Sequence, residues 1–264
     1  MFFILLAAPL AFLLAVYGAL YLLQERLVFC PEALSDRHRF SFPFPFGELN
    51  WDVPGGRLNA LHFKCPSPKG LAVFLHGNAG SLAGWGYAAE PFLDSGFEVL
   101  MPDYRGYGKS RGFLLSQKTF LKDADFAYAE AKKLFPEEKI IVVGRSLGSG
   151  LAVHLAARNR PRRLILISAY TSLKETAKFH YPWIPSFLNR YPMPSERWIG
   201  KVACPVTLFH GTEDPVIPVR LGKELSQKVR APVRWIPLPD AGHDDISDNP
   251  QYLVELKKIL AESR

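Results

Sequence analysis

The sequence predicts an α/β fold, a mostly parallel sheet with helices on both faces. From residue 71 onward, short apolar runs alternate with helical patterns, the order that buries a parallel sheet under its crossover helices. The second observation is Gly144-Arg145-Ser146-Leu147-Gly148, set between a β-branched run, Lys139 to Val143, and a helical pattern from Leu147 to Asn159. A serine at that junction occupies a tight turn where bulky neighbours would clash. Glycines two residues before and two after relieve the crowding and leave the hydroxyl exposed at the strand's end.

The elements follow in order. Glu48–Val53 and Arg57–Lys64 flank Gly55-Gly56 and read as an antiparallel hairpin. Leu71–Leu75 is an apolar strand, Ala83–Ser95 a helix and Phe97–Met101 a strand. Ser116 is a suitable N-cap for a helix running to Leu134. Beyond the Ser146 helix come strands at Leu164–Ser168, Val206–Phe209 and Val233–Ile236, with helices near Arg220–Val229 and Asn249–Glu262. Ligands of such sheets lie beyond the carboxyl ends of the strands, so the chemistry is expected there.

A chain of 264 residues suits one domain of the larger α/β kind, and 48% hydrophobic against 22% charged residues excludes disorder. Cys30, Cys65 and Cys204 are odd in number and widely spaced, which argues against a disulfide framework, and no pair has metal-ligand spacing. No metal or organic cofactor is expected. The net charge is +7, part of it in Arg158, Arg160, Arg162 and Arg163. These read first as a solvated helix C-terminus opposing the macrodipole, and second as an attraction to anionic membrane. No nucleic-acid-binding module accompanies the charge.

Met1 to Leu23 carries no charge. As a helix it would reach ~34 Å, against a hydrocarbon core of about 30 Å. A cleaved signal peptide would need a basic start and small residues at the cleavage site, and Val16 with Gly18 is a weak candidate. The expected plan is a membrane anchor over 1–24, a Pro- and Phe-rich connector over 25–45, and an α/β domain over 46–264 with a cap at about 169–204.

A serine hydroxyl is a weak nucleophile until an oriented base takes its proton. Among seven histidines, His243 lies in Pro239-Asp240-Ala241-Gly242-His243-Asp244-Asp245, a turn-forming stretch after the last strand. His76 and His210 end apolar runs and read as structural; His154 reads as a packed helix residue. The acid is expected beyond the penultimate strand, in the order Ser, Asp, His. Asp214, in His210 to Pro218, fits that place; Glu213 and Asp103 are its rivals. Two N–H donors should face the oxyanion: that of Leu147, and one from His76-Gly77-Asn78-Ala79-Gly80, with Asn78 ahead of Ala79. Gly108-Lys109-Ser110 is no phosphate loop, because Asp103 stands where that motif requires glycine.

HGNAG (76–80), DYRGYGKS (103–110), GRSLGSG (144–150), HGTEDPVIP (210–218) and AGHDD (241–245) together resemble an α/β-hydrolase over roughly residues 45–260. Within that superfamily the chain is similar to the small bud-emergence type, the anchored alpha/beta-hydrolase-domain-containing proteins, whose members also tend to begin with a membrane helix. The resemblance implies a Ser-Asp-His hydrolase acting on ester, thioester or related acyl bonds. Its oxyanion segment is HGNAG where typical lipases have HGGG. The aromatic and proline content of Ala169 to Cys204 suits a lid, an apolar acyl pocket over Ser146, or both. Lipid-like or acylated substrates are expected if an anchor holds the site near a bilayer. Two alternatives stand beside this reading: a peptidase of prolyl-oligopeptidase type, and a non-catalytic membrane receptor or scaffold on the same fold.

Overall fold

A computed structural model describes residues 2–262; for residues 2–10 and Leu27 it describes the backbone alone. The chain opens with helices α1 (Phe2–Leu22) and α2 (Gln24–Val28) and the short strand β1 (Cys30–Pro31). Strands β2 (Phe46–Val53) and β3 (Gly56–Phe63) form the expected hairpin, and β4 (Gly70–Leu75) follows. Next come β5 (Ala79–Gly80), α3 (Leu82–Trp85), α4 (Glu90–Asp94) and β6 (Phe97–Pro102). Then α5 (Gln117–Leu134), β7 (Ile140–Arg145), α6 (Leu147–Arg158) and β8 (Arg163–Ile167) lead into α7 (Leu173–His180) and α8 (Ser195–Trp198). The chain ends with β9 (Val206–Gly211), α9 (Val219–Ser226), β10 (Val233–Leu238) and α10 (Pro250–Ala261).

Eight strands form one sheet in the order β10-β9-β8-β7-β4-β6-β3-β2. Pairing is antiparallel for β2 with β3 and β3 with β6, and parallel elsewhere. Alternate strand residues point to opposite faces, so each central strand feeds two cores. Leu71, Val73 and Leu75 of β4 belong to the core under α5 and α6, whereas Ala72 and Phe74 belong to the opposite core with Phe92 of α4 and Leu256 of α10. Buried on both faces, these strands read as continuous apolar runs.

The register brings five strand ends together. Leu75 pairs with Gly144, Arg145 with Ile167, Ile167 with Phe209 and Gly211 with Leu238. The loops after β4, β7, β8, β9 and β10 therefore leave the same end of the sheet side by side, with neighbouring strands ~4.8 Å apart. Local chemistry sets the helices: Ser116 Oγ accepts the Thr119 N–H at 3.2 Å and opens α5, whose Phe120, Ala124, Ala127, Tyr128 and Ala131 form one buried stripe.

Three features depart from the sequence expectation. The helix expected over Ala83–Ser95 divides into α3, a 3₁₀ turn at Gly86–Ala89 and α4. A Cβ on Gly86 would stand 2.3 Å from the Phe42 ring, so the close approach of the aromatic connector shapes this segment. That connector is no bare linker: Phe42 packs against Phe44, Phe46, Phe63 and Tyr87, and β1 pairs with β5. The membrane span expected over 1–24 is not borne out. Among the described residues no helix is long and apolar enough to cross a membrane. Described side chains of α1 begin at Ala11, and residues 11–22 reach only ~18 Å; the rest of the expected span lies outside the described side chains.

Behind the strand ends, Arg105 forks onto buried Asp123 with Nε and Nη2 at 2.6 and 2.9 Å. Removing one partner strands a buried charge. Asp123→Ala is expected to lower unfolding free energy by about 3–5 kcal/mol, measured by urea denaturation against wild type.

Candidate active site

The residue between β7 and α6 is Ser146, with φ +51° and ψ −119°. A non-glycine residue in that region is strained by about 1–3 kcal/mol and persists only where its surroundings enforce it. They do so here by contact. A Cβ on Gly148 would lie 2.0 Å from the Leu75 carbonyl oxygen, and one on Gly144 would lie 2.5 Å from Ala152 Cβ. Both glycines of the motif are therefore required by backbone approach, and Ser146 is left at the sheet's edge at the start of α6.

Two loops close on it. Ser146 Oγ and His243 Nε2 are 3.0 Å apart, and His243 Nδ1 and Asp214 Oδ2 are 2.8 Å apart. A carboxylate only accepts, so Nδ1 carries the proton and Nε2 is left to accept from the serine hydroxyl. Asp214 Oδ1 accepts the N–H groups of Val216 and Ile217 at 2.9 and 2.8 Å. Burial pushes the Asp214 carboxyl upward, but donation from His243 and from the Ile217 N–H outweighs it and holds the group below its usual range. The three residues read from the sequence are thus in hydrogen-bonded series.

Their rivals stand elsewhere. Glu213 is exposed. Asp103 is buried beside His76, at 3.2 Å from its Nε2, and accepts the Leu82 N–H. His76 donates from Nδ1 to the Gly77 carbonyl, and His154 donates to Asp125. His210 donates to the Ile217 carbonyl at 2.8 Å and so folds the turn that carries Asp214; burial lowers its pKa and keeps it neutral. In the 76–80 segment, Asn78 Oδ1 accepts from the Tyr107 hydroxyl at 3.0 Å, and the Ala79 carbonyl accepts from Trp85 Nε1 at 2.7 Å. A Cβ on Gly77 would stand 3.7 Å from Ser146 Cβ, which measures how closely this segment passes the serine. The apolar cavity that the 169–204 segment does form has neither Ser146 nor His243 in its walls.

Sequence reasoning missed Arg145. Its Nη2 donates to the carbonyls of His243 and Asp244 at 3.0 and 3.2 Å, its Nη1 donates to Ser247 Oγ at 2.7 Å, and its guanidinium lies 5.2 Å from the Trp85 ring centroid. The residue beside the serine thus holds the backbone of the histidine. Its position inside the motif was the available signal, but the reach of 98 residues to His243 was not.

A family model for serine aminopeptidase, S33, matches residues 66–198, half of the chain. An alpha/beta hydrolase domain-containing protein 17B of Xenopus laevis is 32% identical, covering 79% of this chain and 72% of that protein. A lysophosphatidylserine lipase, ABHD12, of Danio rerio is 33% identical, covering 59% of this chain and 46% of that protein. The solved Pyrococcus furiosus esterase Pf2001 superposes with a TM-score of 0.69 at 18% identity, covering 88% of this chain and 98% of that one, a likeness of fold. The chain belongs to the α/β-hydrolase superfamily, in the serine aminopeptidase S33 family. It is a hydrolase.

Arg145→Ala removes the tether on the His243 loop while leaving Ser146, His243 and Asp214 themselves unsubstituted. A misplacement of about 1 Å costs ~10²-fold in rate, so kcat on a p-nitrophenyl ester is expected to fall by about that factor with KM little changed.

Proposed function

We propose that this chain is a serine hydrolase that cleaves acyl bonds through an acyl-enzyme intermediate, with Ser146 as nucleophile, His243 as base and Asp214 as the orienting acid. The observation that carries the reading is the series Asp214–His243–Ser146 at 2.8 and 3.0 Å, with the serine at positive φ. Ser146 Oγ attacks the acyl carbon as its proton passes to His243 Nε2, and Asp214 stabilises the imidazolium. Collapse of the tetrahedral species expels the leaving group, which takes that proton. Water then attacks the acyl-serine with His243 again as base, releasing the acid and restoring the hydroxyl.

The oxyanion is held by the Leu147 and Asn78 N–H groups, with Ala79 as the alternative to Asn78. Leu147 is the first residue of α6, where backbone N–H groups have no partner within the helix. The Asn78 carboxamide is engaged with Tyr107, which leaves its main chain to serve. Each such donor lowers the barrier by about 3–4 kcal/mol.

Lipid-like or acylated substrates are favoured, in keeping with the likeness to the lysophosphatidylserine lipase of Danio rerio. In this reading α1 holds the domain at a lipid surface: Phe12, Leu14 and Leu22, spread around the helix, are each more than 60% exposed. A second reading, peptide hydrolysis, is favoured by the family model over residues 66–198; it uses the same three residues.

A fluorophosphonate probe is expected to label the wild type on Ser146, and Ser146→Ala to abolish labelling and lower kcat by about 10⁶-fold. Asp214→Asn is expected to keep the fold and lower kcat by about 10⁴-fold. Folded wild type that resists the probe would refute the catalytic reading, and turnover of a peptide panel without p-nitrophenyl esters would favour the second one. In flotation with lipid vesicles, the full chain is expected to rise with the vesicles and a chain lacking residues 1–24 to stay below. Equal behaviour of the two would remove the surface role of α1.

A further inference from the structure

A cavity of about 260 Å³ lies at the seam between the amino-terminal helices and the 169–204 segment. Its apolar walls come from three stretches distant in sequence: Leu20 and Val28, Ala177 of α7, and Ile184 and Leu188. It is larger than the ~150 Å³ that suffices for a benzene-sized ligand in an apolar protein cavity. The walls are fixed by polar contacts behind them. Gln24 Nε2 donates to the Leu188 carbonyl at 2.8 Å, and Gln24 Oε1 accepts the Arg190 N–H at 2.7 Å. Arg190 also pairs with Glu25 at 2.7 Å and lies over the Tyr21 ring. The cavity is thus preformed, as small-molecule sites usually are.

Charge at its edge is one-sided. Lys174 and Lys178 border the cavity, one turn apart on α7, and both are exposed. Side chains at that spacing stand ~6 Å apart on one helix face. Neither ammonium has a partner among the described residues, whereas Glu25, the acid of the adjoining helix, is already engaged by Arg190 and Tyr191. The other polar wall residues are largely committed too: Gln24 as above, and Asn189 Oδ1 to the Tyr191 N–H. An apolar chamber with two unpartnered cations at its rim fits a chain that ends in an anion.

We propose that this cavity binds a long-chain carboxylate, its chain among Leu20, Val28, Ala177, Ile184 and Leu188 and its head group against Lys174 and Lys178. The site is separate from the Ser146 centre, whose three residues do not line it, and the proposal does not rest on the catalytic reading. It adds to that reading, because acyl hydrolysis releases acids of this class.

The test uses the full chain in lipid nanodiscs with a diazirine-bearing dodecanoate, photolysed and mapped by peptide mass spectrometry. Adducts are expected on residues 20–28 and 174–189. Excess dodecanoate is expected to suppress them, and dodecanol to leave them in place. Lys174→Glu and Lys178→Glu are each expected to lower the yield about fivefold, the effect of one cation near an anionic group. Ala177→Trp, which fills the chamber, is expected to abolish it. Fluorophosphonate labelling of Ser146 serves as the fold control and is expected to be unchanged in all three variants. If Ser146 resists the probe in every form, the catalytic reading fails and the adduct map still decides the site. Adducts confined to residues 2–19, adducts clustered around Ser146, equal competition by dodecanol, or indifference to the two charge variants would each overturn the proposal.

Discussion

The turn between β7 and α6 is the constraint on which the site depends. A parallel strand must pass into a helix within one residue, and that residue, Ser146, is forced to a positive φ. Strain of this size is unfavourable in isolation. It is held because α6 lies so close to β4 that a methyl group on residue 148 would overlap the Leu75 carbonyl. The same closeness sets the start of α6, with its outward N–H groups, next to the loop after β4. The proposed nucleophile and the backbone proposed to stabilise the anion are thus products of one packing contact.

Around that turn, electrostatics are arranged so that the imidazole has one useful tautomer. Asp214 is buried, which by itself would favour a neutral acid, yet three N–H donors point at its two oxygens and keep it charged. His210, neutral and buried, ties the same loop through the Ile217 carbonyl. Arg145 performs the corresponding task for His243 from the strand itself. The loops after β9 and β10 are thereby fixed by contacts that do not themselves touch the serine hydroxyl.

Much of this was legible in the sequence because it rests on local rules. The β-branched run before Gly144, the N-cap Ser116 and the Gly55-Gly56 turn each specify their element through neighbours within a few residues, and the structure places those elements there. The order Ser146, Asp214, His243 was readable because the sheet delivers successive loops to one edge. What escaped depends on distant pairs. The break at Gly86 follows from Phe42, the pairing of β1 with β5 joins Cys30 to Ala79, and Arg145 reaches the carbonyl of His243. No periodicity encodes such contacts. The cavity beside α7 was likewise unreadable, since its walls join residues 20–28 to 174–189.

The central claim is that this geometry makes one hydroxyl a covalent catalyst. Rapid quenching of the wild-type enzyme with an activated acetate ester, followed by intact-mass and peptide mass spectrometry, addresses it directly. The account predicts a single acetyl group, borne by Ser146, that forms faster than it is lost and decays on further incubation in water. Turnover of the ester with no acyl-protein at any quench time, or an acetyl group carried on another residue, would contradict it.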